Sequence, residues 1–200
     1  MISNALLVLA AMSVPAFGWE QFEFTVDGDD AGLKESLESA TVLGKQPVEG
    51  RSQPRAVLAA ALTEYSSLLN ALYAQGYYGG VINVRLDGRE AAGLSVVQPP
   101  SQISAVSVHV TPGPQYTLGK AQVGPLAPGT KVPEGFRLGQ PAHSDLVQES
   151  LQAAVSGWRD AGHARPTLAH KSLSADHRNR TLSAVLTMNP GPKVRFGQMH

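Results

Sequence analysis

The chain has 200 residues, enough for one or two ordinary domains, and its 16 Lys and Arg are matched by 16 Asp and Glu. A formal charge of zero, with no long run of like charge, argues against nucleic acid and against any partner recognised by charge. The absence of cysteine excludes a disulfide scaffold and a thiolate metal site.

Residues 1–18, MISNALLVLAAMSVPAFG, hold an apolar stretch from Ala5 to Val14 followed by small residues at Ala16 and Gly18, the pattern of a secretory signal with its cleavage site. Its n-region lacks Lys and Arg. The apolar run is about half of what a bilayer needs, and export without cysteine suits a bacterial periplasm. The first strand is expected at Phe22–Val26 with Phe22, Phe24 and Val26 inward, then a short helix over DDAGLKESLES. Residues 55–75 place Ala61, Tyr65, Leu68 and Leu72 on one helical stripe that stops at Gly76. A strand follows at Val81–Leu86. The loop through QPPSQ leads to a closing strand in which Val106, Val108 and Val110 alternate with Ser107 and His109, one face wet and one dry.

TPGPQYTLG, Thr111–Gly119, then ends one ladder and opens the next, because proline fixes φ and offers no donor. Tyr116 and Leu118 begin a second unit. Its GPLAPGTKVPEGF segment, with three prolines and three glycines, predicts a turn or a single helical turn where the first unit has a helix. Ser144 and Asp145 cap a helix whose stripe Val147, Leu151, Ala154, Trp158 ends at Gly162, and Trp158 is expected in the core. A strand over roughly Thr167–Leu173 and a closing strand through Ala184, Leu186 and Met188 reach NPGPKVRFG, Asn189–Gly197, where Val194 and Phe196 repeat Tyr116 and Leu118. Aligning Gly76 with Gly162 aligns both stripes residue for residue, so the units are read as homologous.

Catalytic readings fare poorly. His163, His170 and His177 recur every seven residues, but a strand-turn-strand region does not converge that spacing on a metal. GPQYTLGKA ends like a phosphate loop, yet it has five residues between the glycines instead of four, and Ala121 where Ser or Thr should hold magnesium. Neither HExxH nor GxSxG occurs, and Asp145 with Glu149 reads as a solvated helix face. No catalytic residue, metal or cofactor is therefore expected. Tyr77, Tyr78, Gly79 and Gly80 read either as a helix C-cap with aromatics folded onto the sheet or as a partner-binding patch.

LYAQGYY (Leu72–Tyr78), VTPGPQYTLG (Val110–Gly119), LGQPAHSDLV (Leu138–Val147) and MNPGPKVRFG (Met188–Gly197) together resemble the POTRA domains of the BamA/TamA outer-membrane assembly superfamily, most of all its TamA branch. The second unit departs from the pattern with Gly162-His163-Ala164 where Gly-Tyr-Tyr is expected. The resemblance implies an α+β fold of two tandem βααββ domains, each a three-stranded mixed sheet on helices. Its expected boundaries are a signal peptide at 1–18, domains at 19–111 and 112–189, and the start of a third domain at 190–200. It further implies a non-enzymatic periplasmic region of an outer-membrane protein. Such a region binds unfolded outer-membrane proteins or autotransporters, or a TamB-like periplasmic protein, and connects to the membrane through a C-terminal barrel; no nucleic acid or small-molecule substrate is expected. The mechanism available is strand addition at a sheet edge. In the family's topology that edge is the strand after the long helix, which places the candidate surface at Tyr77, Tyr78, Val81, Ile82, Asn83, Val84 and Arg85. Whether Ile82 or Asn83 points its N–H outward is not readable. The POTRA region of a two-partner secretion transporter and a small periplasmic enzyme are the alternatives.

Overall fold

The computed structural model describes residues 21–45 and 53–194; the expected leader, and the expected third domain from residue 195 on, lie outside the described residues. The first unit comprises β1 (Gln21–Val26), α1 (Ala31–Ala40), α2 (Pro54–Ala74), β2 (Val81–Leu86), the two-residue β3 (Arg89–Glu90) and β4 (Ala105–Thr111). The second comprises β5 (Thr117–Gly124), α3 (Ser144–Asp160), β6 (Thr167–Asp176) and β7 (Thr181–Asn189). Two separate sheets result, ordered β1-β4-β2-β3 and β5-β7-β6. In each, the opening strand runs parallel to the closing strand, and the strand after the long helix pairs antiparallel on its other side.

Local chemistry explains most element boundaries. The Asp30 carboxylate accepts from Leu33 N–H at 3.0 Å and caps α1. Pro54 occupies the first turn of α2, where its missing N–H costs nothing. The closing strands alternate as expected: Val106, Val108 and Val110 in β4, and Leu182, Ala184, Leu186 and Met188 in β7, are buried. They meet Leu58, Leu68 and Leu72 of α2 in the first core and Val147 of α3 in the second. Each Val, Leu or Met side chain so withdrawn from water contributes about 1.5–3 kcal/mol.

Glu64 breaks the apolar pattern. It lies fully buried on the inner face of α2. Its Oε1 accepts from Thr41 Oγ1 at 2.5 Å, and its Oε2 accepts from the N–H groups of Val42 and Leu43 at 2.7 and 2.9 Å. A carboxylate so furnished stays satisfied without water, and it pins the chain leaving α1 against α2.

The second unit has one helix where the resemblance implied two. Residues 125–143 run as turns, with Phe136 buried and Val132 half-buried over β5 and β7. Trp158 is half-buried, so its placement in the core is corrected. It stands in the last turn of α3, donates Nε1–H to the Pro125 carbonyl at 2.9 Å and meets His163 edge-on at 4.9 Å. It therefore clamps the turn-rich connection to the helix and does not fill the sheet–helix interior.

The repeat extends to the joints. Gly76 and Gly162 both adopt the left-handed region, with φ of 80° and 92°, as a helix stop requires. The Gly76 carbonyl accepts from Tyr116 N–H at 2.8 Å, and the Gly162 carbonyl accepts from Val194 N–H at 2.9 Å. Tyr116 and Val194 stand at the same offset from their Pro-Gly-Pro sequences. One backbone device is thus used twice.

Candidate functional site

The expected surface on the first unit divides into three parts. Tyr77 folds onto its own core and donates to Asp30 Oδ2 at 3.1 Å. Burial first, and then the hydrogen bond to Asp30, push its phenol pKa up. Tyr78 turns the other way and joins the second hydrophobic cluster. Its hydroxyl donates to the Ala142 carbonyl at 2.8 Å, and its ring stacks on Tyr73 at 4.8 Å and tilts against Tyr116 at 5.7 Å. Burial, helped by Tyr73 and Asp145, pushes the Tyr78 phenol up to about 12. Gln115 Nε2 donates to the Gln75 carbonyl at 3.0 Å beside them. Tyr78 is a strut between the two units.

The remaining candidates lie on β2, where Ile82 and Val84 face the core and Val81, Asn83 and Arg85 face outward from the sheet. The edge of this strand is largely occupied. β3 pairs with Arg85 and Leu86. Val84 N–H donates to Glu90 Oε1 at 3.1 Å, and the Val84 carbonyl accepts from the Tyr65 hydroxyl at 3.3 Å. The Tyr65 hydroxyl also bonds Glu90 Oε1, and burial first, then Glu90, raises its pKa to about 12. Because both polar groups of Val84 point away from β4, alternation turns those of Ile82 the same way and those of Asn83 toward His109. The Val110 carbonyl agrees, since it turns from β2 to accept Asp27 N–H at 2.9 Å. Ile82 is what the side chains of Tyr65 and Glu90 leave open. In the sequence Tyr65 stands on the apolar stripe of α2, and nothing singles out Glu90.

β6 presents a longer edge. Nine of its ten residues, all but Ala169, pair with β7 along one side, and among the described residues no strand pairs with the other. A bulge between Leu168 and His170 shifts the alternation, so Lys171, Leu173 and Ala175 lie opposite Leu186, Ala184 and Leu182 on the helix side. Nothing in the sequence announced that bulge. A cleft of about 420 Å³ opens there, bounded by Tyr73 and Tyr78 from the first unit, Val147 of α3, Lys171 and Leu173 of β6, and Leu182. Leu173 is 46% exposed along its wall. An open ladder beside an apolar cleft can take backbone from one extended segment and its side chains together.

The three histidines lie apart. His163 Nδ1 donates to the Gly191 carbonyl at 2.8 Å, His177 Nδ1 shares a hydrogen bond with the Tyr116 hydroxyl at 2.7 Å, and His170 stands exposed on β6. Among the described residues no group of three or more potential ligands could hold a metal ion, and no helix is long and apolar enough to cross a membrane.

No family model matches the sequence, and no curated protein matches it. Solved structures do. POTRA domains 3–5 of BamA from Haemophilus influenzae superpose with a TM-score of 0.50 at 16% identity, over 90% of this chain and 70% of that one. The fold is that of tandem POTRA domains. POTRA domains 1–2 of the periplasmic domain of Omp85 from Anabaena give a TM-score of 0.41 at 14% identity, over 87% of this chain and 95% of that one. Measured against the βααββ POTRA pattern, the first unit is complete with β3 added, and the second replaces its first helix by turns.

Proposed function

We propose that this POTRA pair is the periplasmic part of an outer-membrane protein assembly factor of the BamA/TamA kind, and that it works by binding and not by chemistry. Unfolded outer-membrane proteins or autotransporters, and a TamB-like periplasmic partner, are its proposed ligands. A client strand adds to the open side of β6 and sets apolar side chains in the adjoining cleft; the short opening at Ile82 of β2, with Val81, Asn83, Val84 and Arg85 around it, is a secondary edge. The observation that carries this reading is the length of the β6 edge, ten residues without a second strand partner beside an apolar cleft. Main-chain pairing of that kind is tolerant of sequence, which suits a module that handles many clients.

Because the chain contains no cysteine, single cysteines report position cleanly. Ser172→Cys and Ser174→Cys on β6 should form disulfides with a single-cysteine unfolded barrel protein, whereas Ser183→Cys on the central β7 should not. Disulfides confined to Ile82→Cys would move the site to β2. No disulfide at either edge would refute strand addition.

A further inference from the structure

The zero net charge conceals a division between the units. Residues 1–111 hold six Lys and Arg against eleven Asp and Glu, and residues 112–200 hold ten against five. Within the second unit the excess gathers around the open strand: Arg165, Lys171, Arg178 and Arg180 precede, line and follow β6, with Asp176 as the only acid between them. All five are exposed. Asp176 is already committed, because its carboxylate accepts from the N–H groups of Arg178 and Asn179 at 2.9 and 3.0 Å and from Asn179 Nδ2 at 2.7 Å. Among the described residues, the ion pairs are Arg85 with Glu90 and His109 with Asp27, both in the first unit. None of the four cations of the β6 hairpin forms an ion pair among the described residues. Asp145, on the first turn of α3, lines the cleft itself.

We infer that the β6 edge selects acidic extended segments, in which apolar residues alternate with Asp or Glu. The inference rests on β6 being the receiving edge. An added strand places alternate side chains over the cleft beside Leu173, Lys171 and Tyr78, while its carboxylates lie on the other face of the sheet, in the summed field of the basic hairpin. A lone lysine on an edge is also a familiar guard against unwanted pairing. A guard, however, repels basic segments without favouring acidic over neutral ones, and it gives Arg178 and Arg180, which lie beyond the strand, no role. A continuous basic hairpin attracts one class of segment and turns away the opposite class.

The test uses three synthetic peptides of equal length in which the same apolar residues alternate with Glu, Ser or Lys, titrated by fluorescence anisotropy against the whole chain. The Glu peptide should bind about tenfold more tightly than the Lys peptide, as the summed field of four exposed cations allows. That preference should fade as salt rises and invert in the Arg165→Glu, Arg178→Glu, Arg180→Glu variant, which substitutes exposed positions outside the cleft. The Ser peptide should bind the wild type and this variant alike, between the two extremes. Equal binding of the Glu and Lys peptides, with the Ser peptide still bound, would overturn the charge selection and leave the β6 edge standing. Failure of all three to bind would overturn both. Co-sedimentation with phosphatidylglycerol vesicles but not phosphatidylcholine vesicles, lost in the triple variant and accompanied by no Glu preference, would assign the basic hairpin to a membrane surface and overturn the inference.

Discussion

Glu64 shows how a single side chain can hold two helices in place. Its carboxylate satisfies Thr41 Oγ1 and two backbone N–H groups in a site without solvent access. Glu64→Ala leaves those donors buried and unpaired and should cost about 2–5 kcal/mol; urea denaturation should show the midpoint fall. Gly157 is under a different constraint, since a Cβ there would sit 2.1 Å from Thr130 Oγ1. Gly157→Ala must push the turn-rich connection off α3, at a cost of about 1–3 kcal/mol in the same assay. Tyr65 and Tyr78 supply a pH signature. Their folded pKa of about 12 lies above the ordinary phenol value of 10.0, so the protonated phenol is favoured by folding. The associated stability is complete below pH 10 and is lost as pH rises through 12. Alkaline titration of phenolate absorbance should show a late-ionising class that disappears on unfolding, and Tyr65→Phe should remove part of it.

At the scale of elements, periodicity made most of the fold legible. The two stripes, the alternating closing strands and the Pro-Gly-Pro between β4 and β5 stand where the sequence placed them, because each is a local pattern that tertiary packing reinforces. The glycines and prolines between Gly124 and Phe136 also signalled correctly that a full helix would not form there. Other features had no local signature. A glutamate within a helix reads as a solvated face until residues 41–43 fold over it, and Trp158 continues the stripe but lies past the edge of the core. The bulge of β6 and the plugging of β2 by Tyr65 and Glu90 arise from pairing across the chain. The charge division was present in the sequence and was hidden by summing over both units.

The parity of β2 now makes a paired prediction. Asn83→Pro deletes a donor that faces β4 and should unfold the first unit, a loss of about 3 kcal/mol or more. Ile82→Pro removes an outward donor and should leave the fold intact by circular dichroism, with a thermal midpoint lowered only by the lost core packing of the Ile82 side chain. The opposite pattern would mean that the register of β2 is shifted by one residue.

Taken as a whole, the molecule consists of two similar units with unlike joints. At the first joint Tyr78 reaches from one unit into the core of the next; at the second, Ala164 occupies the equivalent place, and the Gly162–Val194 and His163–Gly191 hydrogen bonds and the backbone bridge of His163 to Lys193 hold the chain among the described residues. Tyr78→Ala should therefore uncouple the units, splitting one unfolding transition into two and costing about 2–4 kcal/mol, whereas Tyr78→Phe loses only the bond to Ala142, about 1 kcal/mol.

Backbone amide exchange, followed residue by residue with and without an unfolded outer-membrane barrel protein, reports directly on whether a client strand adds to β6. Addition of a strand protects the outward-facing amides of Thr167–Asp176, every second residue on either side of the bulge, and leaves those already bonded to β7 unchanged. Slowed exchange in that alternating pattern is the expected result. Client binding with unaltered exchange along β6 would contradict the account.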